Sequence, residues 1–141
     1  MQAILIKVAT TVHRAVYRLS RGRVGGGKFG AMHVIMLTTT GAKSGKRRTA
    51  PLTVLPDDAR WLAIASNGGQ VRHPNWFVNL RANPAVTIGV RGKELRGTAR
   101  AATPEERAVL WPRITAVAKN YAAYQKKTKR EIPVVILEST P

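Results

Sequence analysis

The feature that most constrains the fold is a series of short strand-like runs in which turns, rather than crossover helices, join most successive runs. β-branched and large apolar residues predict strands over residues 33–40, 48–55, 60–66, 85–90, 93–101 and 132–137. Turn residues at 56–59 and 91–92 predict two hairpins. Because successive parallel strands need crossover connections, this pattern favours a small antiparallel β-barrel over a βαβ sheet.

Short helices are predicted between some of these strands. Residues 74–82 begin with a proline in the first turn and end before Asn83-Pro84. Thr103-Pro104-Glu105-Glu106 is a capping box that opens a helix running to about Val117. Residues 121–129 predict a further helical segment. The expected fold is therefore mainly β with flanking helices.

Length and composition favour one compact domain with a strongly basic surface. The chain has 141 residues, with 24 Lys and Arg against 7 Asp and Glu, a formal charge of +17. This balance favours acidic ligands, nucleic acid or anionic membranes. There is no cysteine, and the three histidines are far apart in sequence, so no metal site is predicted.

The N-terminal segment is predicted to be an amphipathic helix over residues 3–19, with apolar residues on one face and cations among them. We divide the chain into two parts. Residues 1–24 contain this helix and the start of a Gly-rich connector that spans 22–30, and residues 25–141 form the barrel domain. Residues 1–23 could contact an anionic membrane or simply pack on the domain. No run approaches the about 18 apolar residues of a membrane span, and a signal peptide is disfavoured. The expected location is cytoplasmic, with peripheral attachment at the inner face of the cell membrane as the alternative.

A basic loop follows the first predicted strand, within residues 37–51. Its glycines would let backbone N–H groups form a concave nest, and its hydroxyls and cations would add donors suited to phosphate or carboxylate; these residues are Gly41, Lys43, Ser44, Gly45, Lys46, Arg47, Arg48 and Thr49. A phosphate-binding P-loop is excluded, because Thr40 and Arg47 stand where that motif needs glycine and a hydroxyl. A solvated hairpin tip remains the alternative.

Three motifs occur in order along the chain: Leu-Thr-Thr-Thr-Gly-x-Lys-Ser-Gly at 37–45 with Arg48 and Pro51, Ala-Ser-Asn-Gly-Gly at 65–69, and His-Pro-x-Trp-x-x-Asn-Leu-x-Ala-Asn-Pro at 73–84. Together they resemble the deazaflavin-dependent nitroreductase family, the coenzyme F420-dependent quinone and nitroreductases of actinobacteria. The likeness covers most of the chain from about Gly30 to the end.

The resemblance implies a split β-barrel of the flavin-reductase-like, FMN-binding type. It also implies a reductase that transfers a hydride from reduced coenzyme F420 to a quinone, a nitroaromatic or another electron-poor acceptor. The phosphodiester and oligoglutamate tail of this coenzyme would explain the basic loop. No nucleic-acid partner is implied, and the protein is expected to be a monomer.

Site residues are carried over from the resemblance position by position. The residues implied to bind the cofactor are Lys43, Ser44, Lys46, Arg47, Arg48, Pro51, Ala65, Ser66, Asn67, Trp76 and Asn79. Backbone N–H groups near Ala65 and Ser66 would hydrogen-bond the deazaflavin. The acceptor would be oriented by Tyr121 and Tyr124, with Ser66 as an alternative donor. For the aromatic residues core packing is the competing interpretation, and for Asn79 it is a loop-tying amide.

Two departures from the family pattern bear on cofactor affinity. Many relatives have a cation where this chain has Asn67 and an asparagine where it has Ala50, and Arg72 or His73 could compensate. Two other functions stay open from the residues: an FMN-dependent oxidoreductase on the same barrel, and a non-enzymatic basic protein that binds nucleic acid or membranes. Only the net charge supports the latter, because no basic-aromatic RNA-binding motif is present.

Overall fold

Six antiparallel strands form a closed barrel in the computed structural model, which describes residues 6–7 and 31–141. The strands in chain order are β1 (Ile6–Lys7), β2 (His33–Thr40), β3 (Arg47–Asp57), β4 (Arg60–Ile64), β5 (Ala85–Val90), β6 (Gly92–Ala101) and β7 (Val134–Ser139), of which β2 to β7 build the barrel. The helices of the described part are α1 (Asn75–Ala82), α2 (Pro104–Val117) and α3 (Lys119–Lys126). The predicted mainly β fold with flanking helices is confirmed.

Strand order explains how the barrel closes. Neighbouring strands follow the order β6-β5-β2-β3-β4-β7, and β7 then pairs antiparallel with β6, from Gly97 opposite Ser139 to Ala101 opposite Val135. The six strands therefore leave no continuous unpaired edge, which removes a common route to aggregation. Gly97 is required at this closure, because a Cβ there would lie 2.6 Å from the carbonyl oxygen of Glu138.

Two apolar clusters make up the core. The barrel interior contains Ile35, Leu37, Val54, Trp61, Ile88, Val135 and Leu137, among others. A second cluster joins the outer faces of β4 and β7 to α2 and α3, and includes Leu62, Ile64, Ile114, Tyr121 and Ile136. Because β4 and β7 bury both faces, they read in the sequence as unbroken apolar runs rather than as alternating ones.

The predicted strands and hairpins agree with the structure apart from their ends. The β3–β4 turn is shorter than predicted, because Asp57 pairs with Arg60 in the ladder and its buried carboxylate accepts a 3.0 Å hydrogen bond from Arg60 Nε. β7 begins at Val134 rather than at Ile132, because the Ile132 N–H donates to the Gln125 side chain at 2.9 Å. At the β5–β6 turn, Arg91 and Gly92 both have positive φ, as a type I′ hairpin requires.

Other limits also shifted. Strand β4, predicted over 60–66, ends at Ile64, because Ser66 has helical backbone angles and leads into a 3-10 turn at Asn67–Gly69. The helix predicted over 121–129 runs over Lys119–Lys126 instead. It stops there because Gln125 Nε2 donates to the carbonyl of Arg130 at 2.7 Å, which turns the chain back toward β7.

The N-terminal predictions are largely untested. Ile6–Lys7 is a strand that pairs in parallel with β6 at Gly92, so the predicted helix over residues 3–19 is wrong at these two positions. The rest of that helix, the connector and the division between residues 24 and 25 lie outside the described residues. In the described part, no helix is long and apolar enough to cross a membrane.

The predicted capping box at the start of α2 is confirmed and leads to a pH-dependent stability. Glu106 accepts from the Thr103 N–H at 2.8 Å and from the Arg100 guanidinium at 2.7 and 2.9 Å. These hydrogen bonds, chiefly those from Arg100, lower the pKa of Glu106 from 4.5 to about 2. The stabilisation is thus complete above pH 4.5 and is lost as the pH falls toward 2.

We expect Glu106→Gln to lower Tm at pH 7 by about 3 °C, a value discounted because Arg100 is half exposed. At pH 3 the difference from wild type should narrow, and thermal unfolding followed by circular dichroism would measure both. Glu105→Gln removes a neighbouring exposed carboxylate and serves as the control. An equal Tm loss at both pH values would contradict the assignment.

Candidate active site

The basic loop between β2 and β3 is closed by its own hydrogen bonds. Gly41 N–H donates to the Lys46 carbonyl at 2.7 Å, and Gly45 N–H donates to the Gly41 carbonyl at 3.0 Å. Lys46 N–H donates to Ser44 Oγ at 3.1 Å, and Gly45 has the positive φ of 72° that this turn requires. The turn itself therefore uses the N–H groups of Gly41 and Gly45, and the predicted nest stays a prediction for other N–H groups of the loop.

Asn79 on α1 fixes this loop to the barrel. Its Oδ1 accepts from the Ala42 N–H at 3.0 Å, and its Nδ2 donates to Thr39 Oγ1 at 3.2 Å. Thr39 is almost completely buried, so the loop is tied to a rigid strand as well as to a helix. Of the two interpretations left open from the sequence, the loop-tying amide is the one that the contacts support.

A cleft of about 650 Å³ opens between this loop and α1, and we call it the basic cleft. Most of its lining residues carry a cation, a hydroxyl or an amide: Thr39, Lys43, Ser44, Arg48, Thr49, Arg72, Asn75 and Asn79. Trp76 and several smaller residues complete the lining. No carboxylate occurs among these described lining residues. The cleft is therefore suited to a ligand with several negative charges.

Alternation along β3 separates two neighbouring arginines. Arg48 lines the basic cleft, whereas Arg47 Nη2 donates to Thr87 Oγ1 on β5 at 2.6 Å. Successive side chains of a strand point to opposite faces, so the two guanidinium groups serve different surfaces. Lys46 is exposed and does not belong to the cleft lining. Lys46 and Arg47, both predicted to bind the cofactor, thus lie apart from the cleft.

A second cleft, of about 400 Å³, lies between the segment after β4 and helix α3, and we call it the aromatic cleft. Its lining includes Ser66, Asn67, Gly68, Gln70, Trp76, Tyr121 and Tyr124. The tyrosine rings meet edge to face, with centroids 6.2 Å apart. Burial, with a smaller contribution from Tyr124, raises the pKa of Tyr121 above its usual 10.0, so its hydroxyl keeps its proton at neutral pH.

Trp76 lines both clefts and so places them side by side. It is partly buried against the barrel core, and its ring stands at 89° to that of Phe77. The indole is therefore held by packing at the point where the two clefts meet. Core anchoring and a ligand contact are compatible here, since one part of the side chain packs and another lines the clefts.

The structure brings most predicted site residues to these two clefts. Lys43, Ser44, Arg48 and Asn79 line the basic cleft, and Ser66, Asn67, Tyr121 and Tyr124 line the aromatic cleft, with Trp76 in both. Pro51 is exposed on β3 and lies in neither lining. Ala65 is fully buried, and its N–H donates to the Pro133 carbonyl at 3.0 Å. This N–H is therefore not free to make the predicted hydrogen bond to the cofactor.

Sequence reasoning missed a polar network behind the aromatic cleft. Arg107 on α2 donates to the Ile132 carbonyl and to Gln125 Oε1, and Gln125 in turn donates to the Arg130 carbonyl. The Arg130 guanidinium reaches the segment after β4, at Ser66 and His73 among others. In the sequence these residues are one glutamine and two of many cations, so no periodicity or spacing distinguishes them.

His73 is held as a neutral base by this network. Arg130 Nη1 lies 3.0 Å from its Nδ1, so Nδ1 is the acceptor and the proton is on Nε2. Burial, and then the charges of Arg130 and Arg81, lower the pKa of His73 below 6.5. His73 therefore supports the loop and is outside both linings, whereas Arg72 lies in the basic cleft. Of the two candidates to replace a cation at Asn67, the structure favours Arg72.

Comparison with known proteins identifies the family. A sequence model of the F420H(2)-dependent quinone reductase family matches residues 9–139. The chain belongs to this family. An F420H(2)-dependent quinone reductase of Mycobacterium tuberculosis is 42% identical over 129 residues, which cover 89% of this chain and 87% of that protein. This membership confirms the resemblance and the enzyme class, an F420H2-dependent reductase with coenzyme F420 as cofactor.

Solved structures of relatives agree with the split β-barrel predicted from the sequence. The structure of an F420-H2 dependent reductase, FDR-A, is 42% identical, covers 74% of this chain and 93% of its own, and superposes with a TM-score of 0.66. A second relative, described as a domain-swapped dimer, is 37% identical, covers 91% of this chain and 96% of its own, and gives a TM-score of 0.67. The monomer predicted for this F420H2-dependent reductase stays a prediction.

The residues present fit the cofactor of the F420H2-dependent quinone reductase family. The basic cleft offers two lysine or arginine side chains from the loop and strand, Lys43 and Arg48, and a third cation, Arg72, from the opposite wall. Ser44 Oγ accepts from Lys46 N–H and can still donate its own proton into the cleft. This set of donors without acidic neighbours is what a phosphodiester with a carboxylate tail requires.

We expect Asn79→Leu to loosen the basic loop without unfolding the barrel. The change removes the acceptor for Ala42 N–H and the donor to Thr39, so amides of residues 41–46 should exchange faster with deuterium. Affinity for coenzyme F420 should fall about 10-fold, the value of one or two lost hydrogen bonds. Ala82→Leu, at an exposed position of the same helix outside both cleft linings, is the control. Unchanged exchange at 41–46 would contradict the role of Asn79.

Proposed function

We propose that this F420H2-dependent reductase uses a quinone as its electron acceptor, with the anionic part of the coenzyme in the basic cleft and the acceptor in the aromatic cleft. The single observation that carries this proposal is that Trp76 lines both clefts. A site for a polyanion and a site for a flat, electron-poor molecule are thereby adjacent. Such adjacency is what transfer between two bound molecules needs.

The cofactor role falls to the cations of the basic cleft. Lys43 and Arg48 would bind the phosphodiester and the carboxylate tail, Arg72 would add the third cation, and Ser44 would donate a neutral hydrogen bond. Asn79 would act indirectly, because it holds the loop that carries two of these groups. When bound, reduced coenzyme F420 supplies the hydride, so the redox chemistry belongs to the cofactor.

The protein's part in the reduction is to orient the acceptor and to stabilise the oxyanion that develops on it. Tyr121, Tyr124 and Ser66 line one cleft and carry hydroxyl groups, which can donate to that oxygen. Because the pKa of Tyr121 is raised, its hydroxyl remains a donor across the neutral pH range.

The deciding experiment measures binding and turnover together. Oxidised coenzyme F420 and FMN would be titrated by fluorescence at two salt concentrations, and F420H2 oxidation would be followed with menadione and with a nitroaromatic acceptor. We expect micromolar or tighter, salt-sensitive binding of coenzyme F420, and turnover that prefers menadione. FMN binding without coenzyme F420 binding would overturn the proposal, as would turnover with the nitroaromatic alone.

Contact with a membrane through residues 1–23 is proposed on the sequence alone, from its five cations, Lys7, Arg14, Arg18, Arg21 and Arg23. The full chain would be sedimented with phosphatidylglycerol vesicles and with phosphatidylcholine vesicles. We expect recovery with the anionic vesicles only, lost at high salt. Recovery with neither would contradict the proposed membrane contact.

A further inference from the structure

The guanidinium of Arg130 makes contacts that neither cleft explains. Its Nε donates to the Gln70 carbonyl at 2.9 Å, and its Nη2 donates to the Ser66 carbonyl at 2.8 Å. Its Nη1 donates to the Ala65 carbonyl at 3.2 Å and lies 3.0 Å from His73 Nδ1. All four partners belong to the segment 65–73, and none of them is a carboxylate. Arg130 thus acts as a clamp on one loop and not as half of an ion pair.

The clamped segment is one wall of the aromatic cleft. Ser66, Asn67, Gly68 and Gln70 line that cleft on one side, and Tyr121 and Tyr124 of α3 line it on the other. The two walls also touch directly. Gly69 has φ of 84°, and a Cβ added there would lie 2.8 Å from the carbonyl oxygen of Tyr124. The distance between the hydroxyl of Ser66 and those of the tyrosines therefore depends on how this segment is held.

Arg130 is itself fixed from behind. Gln125 Nε2 donates to the Arg130 carbonyl at 2.7 Å, while Gln125 Oε1 accepts from Arg107 Nη2 and from the Ile132 N–H. The oxygen and the nitrogen of the Gln125 side-chain amide are thus both engaged, on the same helix that carries the two tyrosines. The network connects the tyrosine wall to Arg130 and, through the guanidinium, to the Ser66 wall.

Only arginine suits these contacts. Three backbone carbonyls and an imidazole nitrogen lie around one planar group, and the guanidinium presents five N–H donors in a fixed fork. A lysine would keep the charge, but its single ammonium nitrogen cannot replace the three guanidinium nitrogens that donate to the carbonyls of Gln70, Ala65 and Ser66. Arg130 is partly buried, and this burial lowers its pKa. The desolvation is offset by hydrogen bonds and not by an opposite charge.

We propose that Arg130 is a positioning residue for acceptor reduction: it sets the spacing of the two walls of the aromatic cleft, and it acts on the coenzyme only through Arg72, the one basic-cleft cation in the segment that it clamps. The inference rests on the proposed function, because it takes the aromatic cleft as the acceptor site. It assigns to Arg130 an effect on kcat with menadione that is larger than its effect on the binding of coenzyme F420.

The test compares Arg130→Lys and Arg130→Ala with Lys129→Ala, which removes an adjacent exposed cation. Three quantities are measured for each protein: the Kd of oxidised coenzyme F420, kcat and KM with menadione, and deuterium exchange at residues 65–73. For both Arg130 variants we expect kcat to fall about 100-fold, as misplacement of a site by about 1 Å can cause. We expect the Kd to rise less than about tenfold, because only one of the three basic-cleft cations, Arg72, lies in the clamped segment. Exchange should rise at 65–73 but not in β7.

Chemical rescue separates positioning from a general loss of structure. Millimolar guanidinium added to Arg130→Ala should restore part of kcat, whereas urea at the same concentration should not. The inference is overturned if Arg130→Lys matches wild type in kcat, if Lys129→Ala loses as much, or if exchange rises throughout the chain without rescue. The proposed function fails separately, when wild type itself neither binds coenzyme F420 nor reduces menadione.

Discussion

Replacing Lys43 and Arg48 by methionine is expected to weaken the binding of coenzyme F420 at least about 100-fold. Both residues line the basic cleft, and each charge-assisted hydrogen bond to a phosphate or carboxylate contributes about 1.5–3 kcal/mol. Removing two such donors leaves Arg72 as the one lysine or arginine side chain in the described lining. The Kd would be measured by fluorescence titration at about 0.15 M salt, where long-range charge effects are screened.

The matched control is Lys46→Met/Arg47→Met, which removes the same two charges from the same loop and strand. Arg47 is bonded to Thr87 on β5 and Lys46 is outside the cleft lining, so the Kd should change less than about threefold. Equal losses in the two double variants would mean that the protein attracts the coenzyme through net charge. The basic cleft would then not be its binding site.

The second large effect is expected for Tyr121→Phe/Tyr124→Phe. The change removes two hydroxyl groups from the aromatic cleft and keeps the aromatic rings, which pack edge to face. Removing a donor to a developing oxyanion slows turnover by about 100-fold or more, so kcat with menadione should fall by at least about 100-fold. Stopped-flow measurement of F420H2 oxidation would report the reductive step directly.

Binding serves as the internal control for this variant. The Kd of coenzyme F420 should stay within about twofold, since the tyrosines do not belong to the basic cleft. Ser66→Ala, which removes the third hydroxyl of the same cleft, shows whether Ser66 also donates to the developing oxyanion. A double variant with kcat close to wild type would remove both tyrosines from the proposed mechanism and leave core packing as their role.

Most of the fold could be predicted because its signals are local. β-branched runs, turn residues and the Thr103 capping box each act within a few residues of chain, and the strands and α2 follow them closely. The errors occur at the ends of elements, where a side chain takes the hydrogen bond of a backbone group. β7 begins late because Gln125 takes the Ile132 N–H, and the sequence gives no sign that these two residues meet.

The site was predictable only in part for the same reason. Composition indicated an anion-binding loop, and Lys43, Ser44 and Arg48 do line a cleft. Composition could not show that the loop uses its own N–H groups at Gly41 and Gly45, nor that Ala65 donates to Pro133. The role of Arg130 could not be predicted, because it depends on carbonyl groups about 60 residues earlier in the chain and backbone oxygens have no sequence signature.

The opposite directions of Arg47 and Arg48 affect how related sequences should be aligned. Both residues are arginine, so an alignment scored on residue type alone can shift by one position here without penalty. Such a shift exchanges the side chain that faces the cleft with the one bonded to Thr87 on the outer surface. A gap placed between Gly41 and Arg47 in any relative should therefore be decided by strand pairing, with Thr39 opposite Arg48, before a cofactor ligand is assigned.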